Sequence, residues 1–152
     1  RAVQKRALQG CVWGMLGWHI VSSLLAFPYS RSYFTEFAGG PSKGIYWLDD
    51  SNIDWGQELK GVKRYMDLNG IRVITLFSFS PYDDPDYYGI KQTSLTSKDR
   101  YEIFLGLKPA PPGIYVISAH VLTRLQSRGI DWLSRYPVIG HLGYSMYIFK
   151  IS

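Results

Sequence analysis

The feature that most constrains this chain is an uncharged stretch of 20 residues near its start, residues 8–27. Its sequence is LQGCVWGMLGWHIVSSLLAF, and Pro28 follows directly. A helix needs about 20 mostly apolar residues to cross a hydrocarbon core of roughly 30 Å, and proline cannot continue a helix. The stretch therefore predicts a transmembrane helix that ends at the proline.

Basic residues mark one end of this helix. Arg1, Lys5 and Arg6 precede it, and no acidic residue occurs before Glu36. Because basic flanks favour the cytoplasmic side of a span, we expect residues 1–28 to be a cytoplasmic basic end followed by the membrane helix. Residues 29–152 then form an extracytoplasmic domain. The lipid bilayer is the first expected partner.

The composition of the stretch leaves alternatives open. Gly10, Gly14 and Gly17 allow neighbouring helices to approach closely, which favours a helix inside a membrane bundle. Four polar residues dilute its apolar character, namely Gln9, His19, Ser22 and Ser23. A core helix of a soluble protein is therefore the main alternative. A signal peptide is disfavoured because residues 26–28 make a poor cleavage site.

The rest of the chain has balanced charge. Acidic and basic residues are almost equal in number after the basic start, although the net charge of the whole chain is +5. A nucleic-acid surface needs a concentrated basic face, so nucleic acid is not an expected partner. Cys11 is the single cysteine, and an intramolecular disulfide is therefore excluded.

The clearest secondary structure after the membrane segment is a strand, a helix and a second strand. Residues 44–48 (GIYWL) are a short apolar run between turn residues, which predicts a buried strand. A helix is predicted to begin at Asp54, with Gln57 in a capping box. Its apolar face comprises Trp55, Leu59, Val62 and Met66. Residues 72–79 (RVITLFSF) are rich in β-formers. This order predicts a βαβ unit with parallel strands.

Two further strands are predicted at residues 113–119 and 143–151, because both runs are apolar and begin with glycine. Short helical pieces are predicted at residues 120–126 and 130–136. The expected fold class is α/β: an N-terminal transmembrane helix, then a small domain with a mainly parallel sheet of about four strands.

Polar residues concentrate where the first predicted strand passes into the helix. They are Asp49, Asp50, Ser51, Asn52, Asp54, Trp55 and Gln57. Ligands bind at the carboxyl ends of parallel strands, but several carboxylates disfavour a bare phosphate here. Two options remain: a sugar that stacks on the tryptophan, or a divalent cation such as Ca²⁺ or Mg²⁺. The same residue types are also ordinary caps and turn formers.

A second acidic and aromatic group lies in the loop after the second predicted strand. It comprises Asp86, Tyr87 and Tyr88 together with Asp83 and Asp84. We expect it to face the first cluster because both would follow parallel strands; a solvated loop is the alternative. His120 and His141 have no partner at zinc-ligand spacing, so no metal ligand is assigned. The sequence contains neither a Gly-rich phosphate loop nor a nucleophile elbow.

Three ordered segments carry a resemblance to a known enzyme family. They are PYSRSYFTEFAGGP at residues 28–41, DSNIDWGQEL at 50–59 and DPDYYGI at 84–90. With the later GIYVISA and GYSMYIFKI, they resemble the C-terminal region of bacterial membrane glycosyltransferases related to the dolichyl-phosphate-mannose protein mannosyltransferases. The chain departs from that pattern at Thr35, where many relatives have Asn, and at residues 78–82, where a shorter stretch is usual.

The resemblance implies a polytopic enzyme of the bacterial inner membrane that uses a polyprenyl-phosphate-linked sugar donor. The family's catalytic acid lies far upstream, so no residue of this chain is assigned as catalytic. Since the chain begins with Arg1 rather than Met, we expect an upstream membrane domain as a partner, with carbohydrate or a lipid-linked sugar as ligand. The alternatives are a singly anchored module that binds carbohydrate or a cation, and a purely structural domain.

Overall fold

The computed structural model describes residues 2–27, 29, 33–46, 56–78 and 84–152. The helices are α1 (Ala2–Ala26), α2 (Leu59–Leu68), α3 (Ser97–Phe104) and α4 (Ala119–Ser127). The strands are β1 (Thr75–Phe77), β2 (Gly113–Ser118), β3 (Val138–Leu142) and β4 (Met146–Ile151). Short 3₁₀ helices span Glu36–Ala38, Pro41–Tyr46 and Trp132–Arg135. The described chain is therefore α/β, as predicted.

The four strands form one sheet in the order β1-β2-β4-β3. Only β1 and β2 are parallel, whereas β4 runs antiparallel to both β2 and β3. The prediction of a mainly parallel sheet is therefore wrong. The physical reason is the connection between β3 and β4, which is a tight turn at Gly143 with φ of 53°. A short turn can join only antiparallel strands, because parallel strands require a longer crossover.

The predicted first strand is also wrong. Residues 44–46 belong to the 3₁₀ helix Pro41–Tyr46, and Trp47 and Leu48 lie outside the described residues. Gly44 has no room for a side chain, because a Cβ atom there would collide with the ring of Phe34. The parallel pair is instead β1 and β2, and α3 lies in the connection between them.

The other predicted strands are confirmed in shorter form as β1, β2 and β4. The two predicted short helical pieces are confirmed as α4 and the last 3₁₀ helix. Strand β3 was not predicted. It lies at the edge of the sheet, with Val138, Ile139 and His141 exposed. An edge strand needs neither continuous nor alternating apolar residues, so its sequence carries a weak signal.

Helix α2 begins later than predicted, at Leu59. Gly56 has φ of 73°, a conformation that a helix cannot contain. Gln57 lies in the turn that follows, and Glu58 occupies the N-cap position without a side-chain capping bond. The predicted capping box of Asp54 and Gln57 therefore does not start this helix, and Asp54 and Trp55 lie outside the described residues. Three residues confirm the predicted apolar face because all are buried: Leu59, Val62 and Met66.

The core lies on both faces of the sheet. On one face, α2 packs against residues whose side chains point to the same side, including Leu76, Val116 and Ile148. On the other face, residues of α3, α4 and the last 3₁₀ helix pack against Tyr115 and Phe149. The sheet is therefore the middle layer of three, which is a common arrangement for an α/β domain.

Helix α1 occurs where the membrane helix was predicted. Its large apolar side chains are exposed, and only Ser22 and Ala26 are buried. Across the ranges that the structure describes, no helix meets both the length and the hydropathy that a membrane crossing requires. The polar residues Gln9, His19 and Ser23 lower the mean hydropathy of α1.

Helix α3 starts with a complete capping box. The Thr96 hydroxyl accepts from the Asp99 N–H at 3.1 Å, and the Asp99 carboxylate accepts from the Thr96 N–H at 3.1 Å. Lys108 also donates to Asp99. The hydrogen bond from Lys108, followed by those from Thr96, lowers the pKa of Asp99 from 3.8 to about 2. Hydrogen bonds to the charged form of a carboxyl favour ionisation.

We predict that Asp99 stabilises the fold only while it is ionised. Because folding lowers its pKa, its contribution is complete above the unfolded pKa near 4 and is lost as the pH falls through about 2. The Asp99→Asn variant should unfold at a lower temperature than the parent chain at pH 6, and the difference should shrink between pH 4 and pH 2. Thermal unfolding measured by circular dichroism checks this. A difference that is constant over the pH range would contradict it.

Candidate functional site

Most of the predicted polar cluster cannot be placed. Six of its residues lie outside the described part of the chain, namely Asp49, Asp50, Ser51, Asn52, Asp54 and Trp55. Gln57 is described, and it is half-buried in the turn before α2. The binding of a sugar or a divalent cation by this cluster therefore stays a prediction.

The residue after Gln57 is the buried carboxylate of the site. Glu58 is only 7% exposed although its side chain is an ionisable carboxyl group. It lies at the amino end of α2, where free N–H groups and the helix dipole favour negative charge. The sequence did not predict Glu58 as a site residue, because a Glu at the start of a helix is usually exposed to solvent. Its place inside the DSNIDWGQEL segment was the available signal.

The turn between β3 and β4 packs directly on this carboxylate. A Cβ atom added to Gly143 would collide with the carboxylate of Glu58 and would lie 2.9 Å from Cδ1 of Tyr29. Tyr29 also contacts Tyr144 edge to face, with ring centroids 5.6 Å apart. Tyr29, the start of α2 and the β3–β4 turn therefore meet at one point. We call this point, made of Tyr29, Glu58, Gly143 and Tyr144, the Glu58 junction.

The second predicted group forms a compact turn. The Tyr87 N–H donates to the Asp84 carboxylate at 3.2 Å, and the Gly89 N–H donates to the Asp86 carbonyl at 2.9 Å. Tyr87 and Tyr88 contact each other edge to face at 5.1 Å. Asp86, Tyr87 and Tyr88 are all exposed, and Tyr87 is 80% exposed. The turn thus presents an aromatic surface beside a carboxylate.

This turn lies next to α2. A Cβ atom on Gly89 would be 3.4 Å from Cε of Lys63, which follows Glu58 by five positions. At 1.5 Å of rise and 3.6 residues per turn, the two positions lie about 7.5 Å apart along the helix axis and about 140° apart around it. The structure therefore places the aromatic turn and the Glu58 junction along the same helix. Carboxylates and tyrosine hydroxyls can both hydrogen-bond sugar hydroxyls, and tyrosine rings offer flat apolar surface for a sugar ring.

The described residues include no group of three or more His, Cys, Asp or Glu side chains that could hold a metal ion. His120 is buried, and its Nε2 accepts from Nε of Arg124 at 3.3 Å. His141 is exposed on β3. Three carboxylates of the predicted cation site, Asp49, Asp50 and Asp54, lie outside the described residues.

No protein-family model matches the chain, and no curated protein or solved structure is significantly similar to it.

We predict that Gly143 is required for the contact with Glu58. Gly143 has φ of 53°, so Gly143→Ala strains the backbone and also places a Cβ atom against Glu58. Gly129 has a similar φ of 66°, but a Cβ atom there meets no other atom, so Gly129→Ala adds only the backbone strain. We expect Gly129→Ala to cost about 1 kcal/mol of unfolding free energy and Gly143→Ala about 2–4 kcal/mol. Urea unfolding of both variants measures the difference. Equal losses would show that the packing at Glu58 contributes nothing.

Proposed function

We propose that this chain is the C-terminal, extracytoplasmic domain of a bacterial membrane glycosyltransferase that uses a polyprenyl-phosphate-linked sugar. The ordered DSNIDWGQEL and DPDYYGI segments support this proposal through their resemblance to that family. In this proposal the catalytic residues belong to an upstream membrane domain, and the present chain shapes part of the sugar site.

The observation that carries the membrane part of the proposal is the surface of α1. Its large apolar residues are exposed and point in all directions around the helix axis: Val12, Trp13, Met15, Leu16, Trp18, Ile20, Val21, Leu24 and Leu25. A helix that is apolar all round is normally buried in a large core or in a membrane. Its 25 residues rise about 37 Å, more than the roughly 30 Å of a hydrocarbon core.

The moderate hydropathy of α1 is compatible with a place inside a helix bundle. Polar side chains such as Gln9 and His19 are tolerated in a membrane where neighbouring helices can hydrogen-bond them. Small residues at Gly10, Gly14 and Gly17 leave open space beside the helix, since a Cβ atom at each would meet nothing within 4 Å. In this proposal the upstream helices occupy that space.

The position of the Glu58 junction fits the same proposal. Tyr29 follows α1 closely, so the junction would lie at the outer surface of the membrane. Tyrosine is favoured at that depth because its ring is apolar and its hydroxyl is polar. A lipid-linked sugar has its phosphate and sugar at the same depth. We assign sugar contact to the tyrosine hydroxyls, and we assign to the buried Glu58 carboxylate the role of holding the junction that presents them.

The membrane orientation can be tested by cysteine labelling, because Cys11 is the only native cysteine. In a Cys11→Ser background, a cysteine replaces either Lys5 or the exposed Gln126 of α4. A membrane-impermeant maleimide added to cells whose outer membrane has been permeabilised should label position 126 and not position 5. Lysis should then expose position 5. The Cys11→Ser chain without a new cysteine is the control. Labelling of position 5 before lysis, or release of the chain from membranes by carbonate, would contradict the orientation.

The sugar site is tested in the intact enzyme as the genome encodes it. We expect Glu58→Gln to reduce sugar transfer from a polyprenyl-phosphate donor by about tenfold or more, since small displacements at a site have effects of this size. Glu102→Gln on α3 is the matched control, because it is the same change at a partly exposed position. Membrane abundance of both variants is measured alongside. Equal activity at equal abundance would remove Glu58 from the site.

A further inference from the structure

We propose that a cleft at the carboxyl end of β1 binds the phosphate group of a phosphate ester, with Arg100 as its charged anchor. The cleft is open and has a volume of ≈ 590 Å³. Its polar wall is made of Ser78, Gln92, Ser97 and Arg100. This assignment rests on the geometry of the cleft. Only a lipid-linked source of the phosphate rests on the function proposed above.

Arg100 is held in place by the backbone around it. Its Nη1 donates to the Leu76 carbonyl at 2.8 Å, and its Nη2 donates to the Thr93 carbonyl at 3.4 Å. A guanidinium has five N–H donors in a rigid planar fork. Two donors fix the side chain against the end of β1, and the other three make no hydrogen bond to a described residue. The group is thus oriented before a ligand arrives, which reduces the entropy lost on binding.

The positive charge of Arg100 lacks a carboxylate partner among the described residues. Three ion pairs there join Lys63 to Asp67, Lys98 to Glu102 and Lys108 to Asp99, and none of them includes Arg100. Partial burial lowers the pKa of Arg100 from its ordinary value, because water no longer fully solvates the charge. A bound oxyanion would compensate this charge through short, charge-assisted hydrogen bonds.

The start of α3 contributes a second anion-binding feature to the same cleft. Ser97 is the first residue of this eight-residue helix and lines the cleft together with Arg100. The capping box satisfies the N–H groups of Thr96 and Asp99, and those of Ser97 and Lys98 are not bonded to other described groups. Free amides and the helix dipole attract anions. The acidic residues of α3 do not oppose this, because Asp99 binds Lys108 and Glu102 lies near Lys98.

A purely structural role for Arg100 would explain the two carbonyl contacts but not the rest of the cleft. Gln92 lies beside β1 through its pairing with Ile74, carries a side-chain amide and lines the cleft. Ser78 carries a hydroxyl and lines the cleft where β1 ends. Hydroxyl and amide donors around a forked cation match the acceptor oxygens of a phosphate. This combination favours an oxyanion over an uncharged ligand.

The test uses the full chain, labelled with ¹⁵N and held in uncharged detergent micelles at constant ionic strength. Inorganic phosphate is titrated while the Arg100 Nε–H and the Gln92 side-chain amide are followed by NMR. We expect both signals to shift in a saturable way. The Gln92→Glu variant keeps the side-chain shape and adds a negative charge, and it should weaken binding by about tenfold or more. Gln126→Glu on α4 is the matched control and should leave binding unchanged.

Arg100 variants serve as a second measurement, because removing the guanidinium also removes the contacts to Leu76 and Thr93. Arg100→Lys keeps the positive charge but removes the forked guanidinium, so it should weaken phosphate binding. Thermal unfolding of the same variant measures its stability. Signals that do not respond to phosphate, or equal weakening by Gln92→Glu and Gln126→Glu, would overturn the proposal.

Farnesyl phosphate and farnesol in the same micelles distinguish the sources of the phosphate. A lipid source is indicated if farnesyl phosphate binds more tightly than inorganic phosphate and if inorganic phosphate displaces it. Equal affinities indicate a soluble phosphate ester. Farnesol that shifts the same two signals would overturn the proposal, because the cleft would then recognise the chain and not the phosphate. The Glu58→Gln variant leaves every residue that lines this cleft unchanged, so the two proposals can fail separately.

Discussion

The pairing of β2 with β4 is the constraint on which the rest of the domain depends. Six residue pairs join these strands, from Gly113 opposite Ile151 to Ser118 opposite Met146. They are the two central strands of the sheet, and each supplies buried side chains to both faces. Tyr115 and Val116, adjacent in sequence, are fully buried on opposite faces. Every other strand and the helices on both faces pack against this pair.

Strand β1 shows how a short edge strand is kept in place. It pairs with β2 on one side, and on the other side Ile74 exchanges backbone hydrogen bonds with Lys91 and Thr93. Arg100 then binds the Leu76 carbonyl, which would otherwise face solvent at the strand's free edge. An edge protected in this way is less open to pairing with another chain. The side chain that closes the edge also brings a positive charge to the end of the strand.

The Glu58 junction connects the long first helix to the domain. Tyr29 lies shortly after α1 and contacts the β3–β4 turn, while Glu58 is the N-cap of α2 and contacts the same turn. A buried carboxylate is costly unless its charge is compensated, so this point is under stronger physical constraint than an exposed loop. If α1 lies in a membrane, the junction sets how the domain faces the bilayer.

The sequence by itself determined the long first helix, the apolar face of α2 and the strands β1, β2 and β4, because local periodicity and β-branched runs report burial directly. Tertiary structure alone decided that residues 44–46 form a 3₁₀ helix against Phe34, that β3 closes an antiparallel edge, and that Arg100 reaches the end of β1. Each of these depends on contacts between residues far apart in the chain. The residue type at one position does not indicate which distant residue it contacts, whereas a repeating apolar pattern does indicate a buried face.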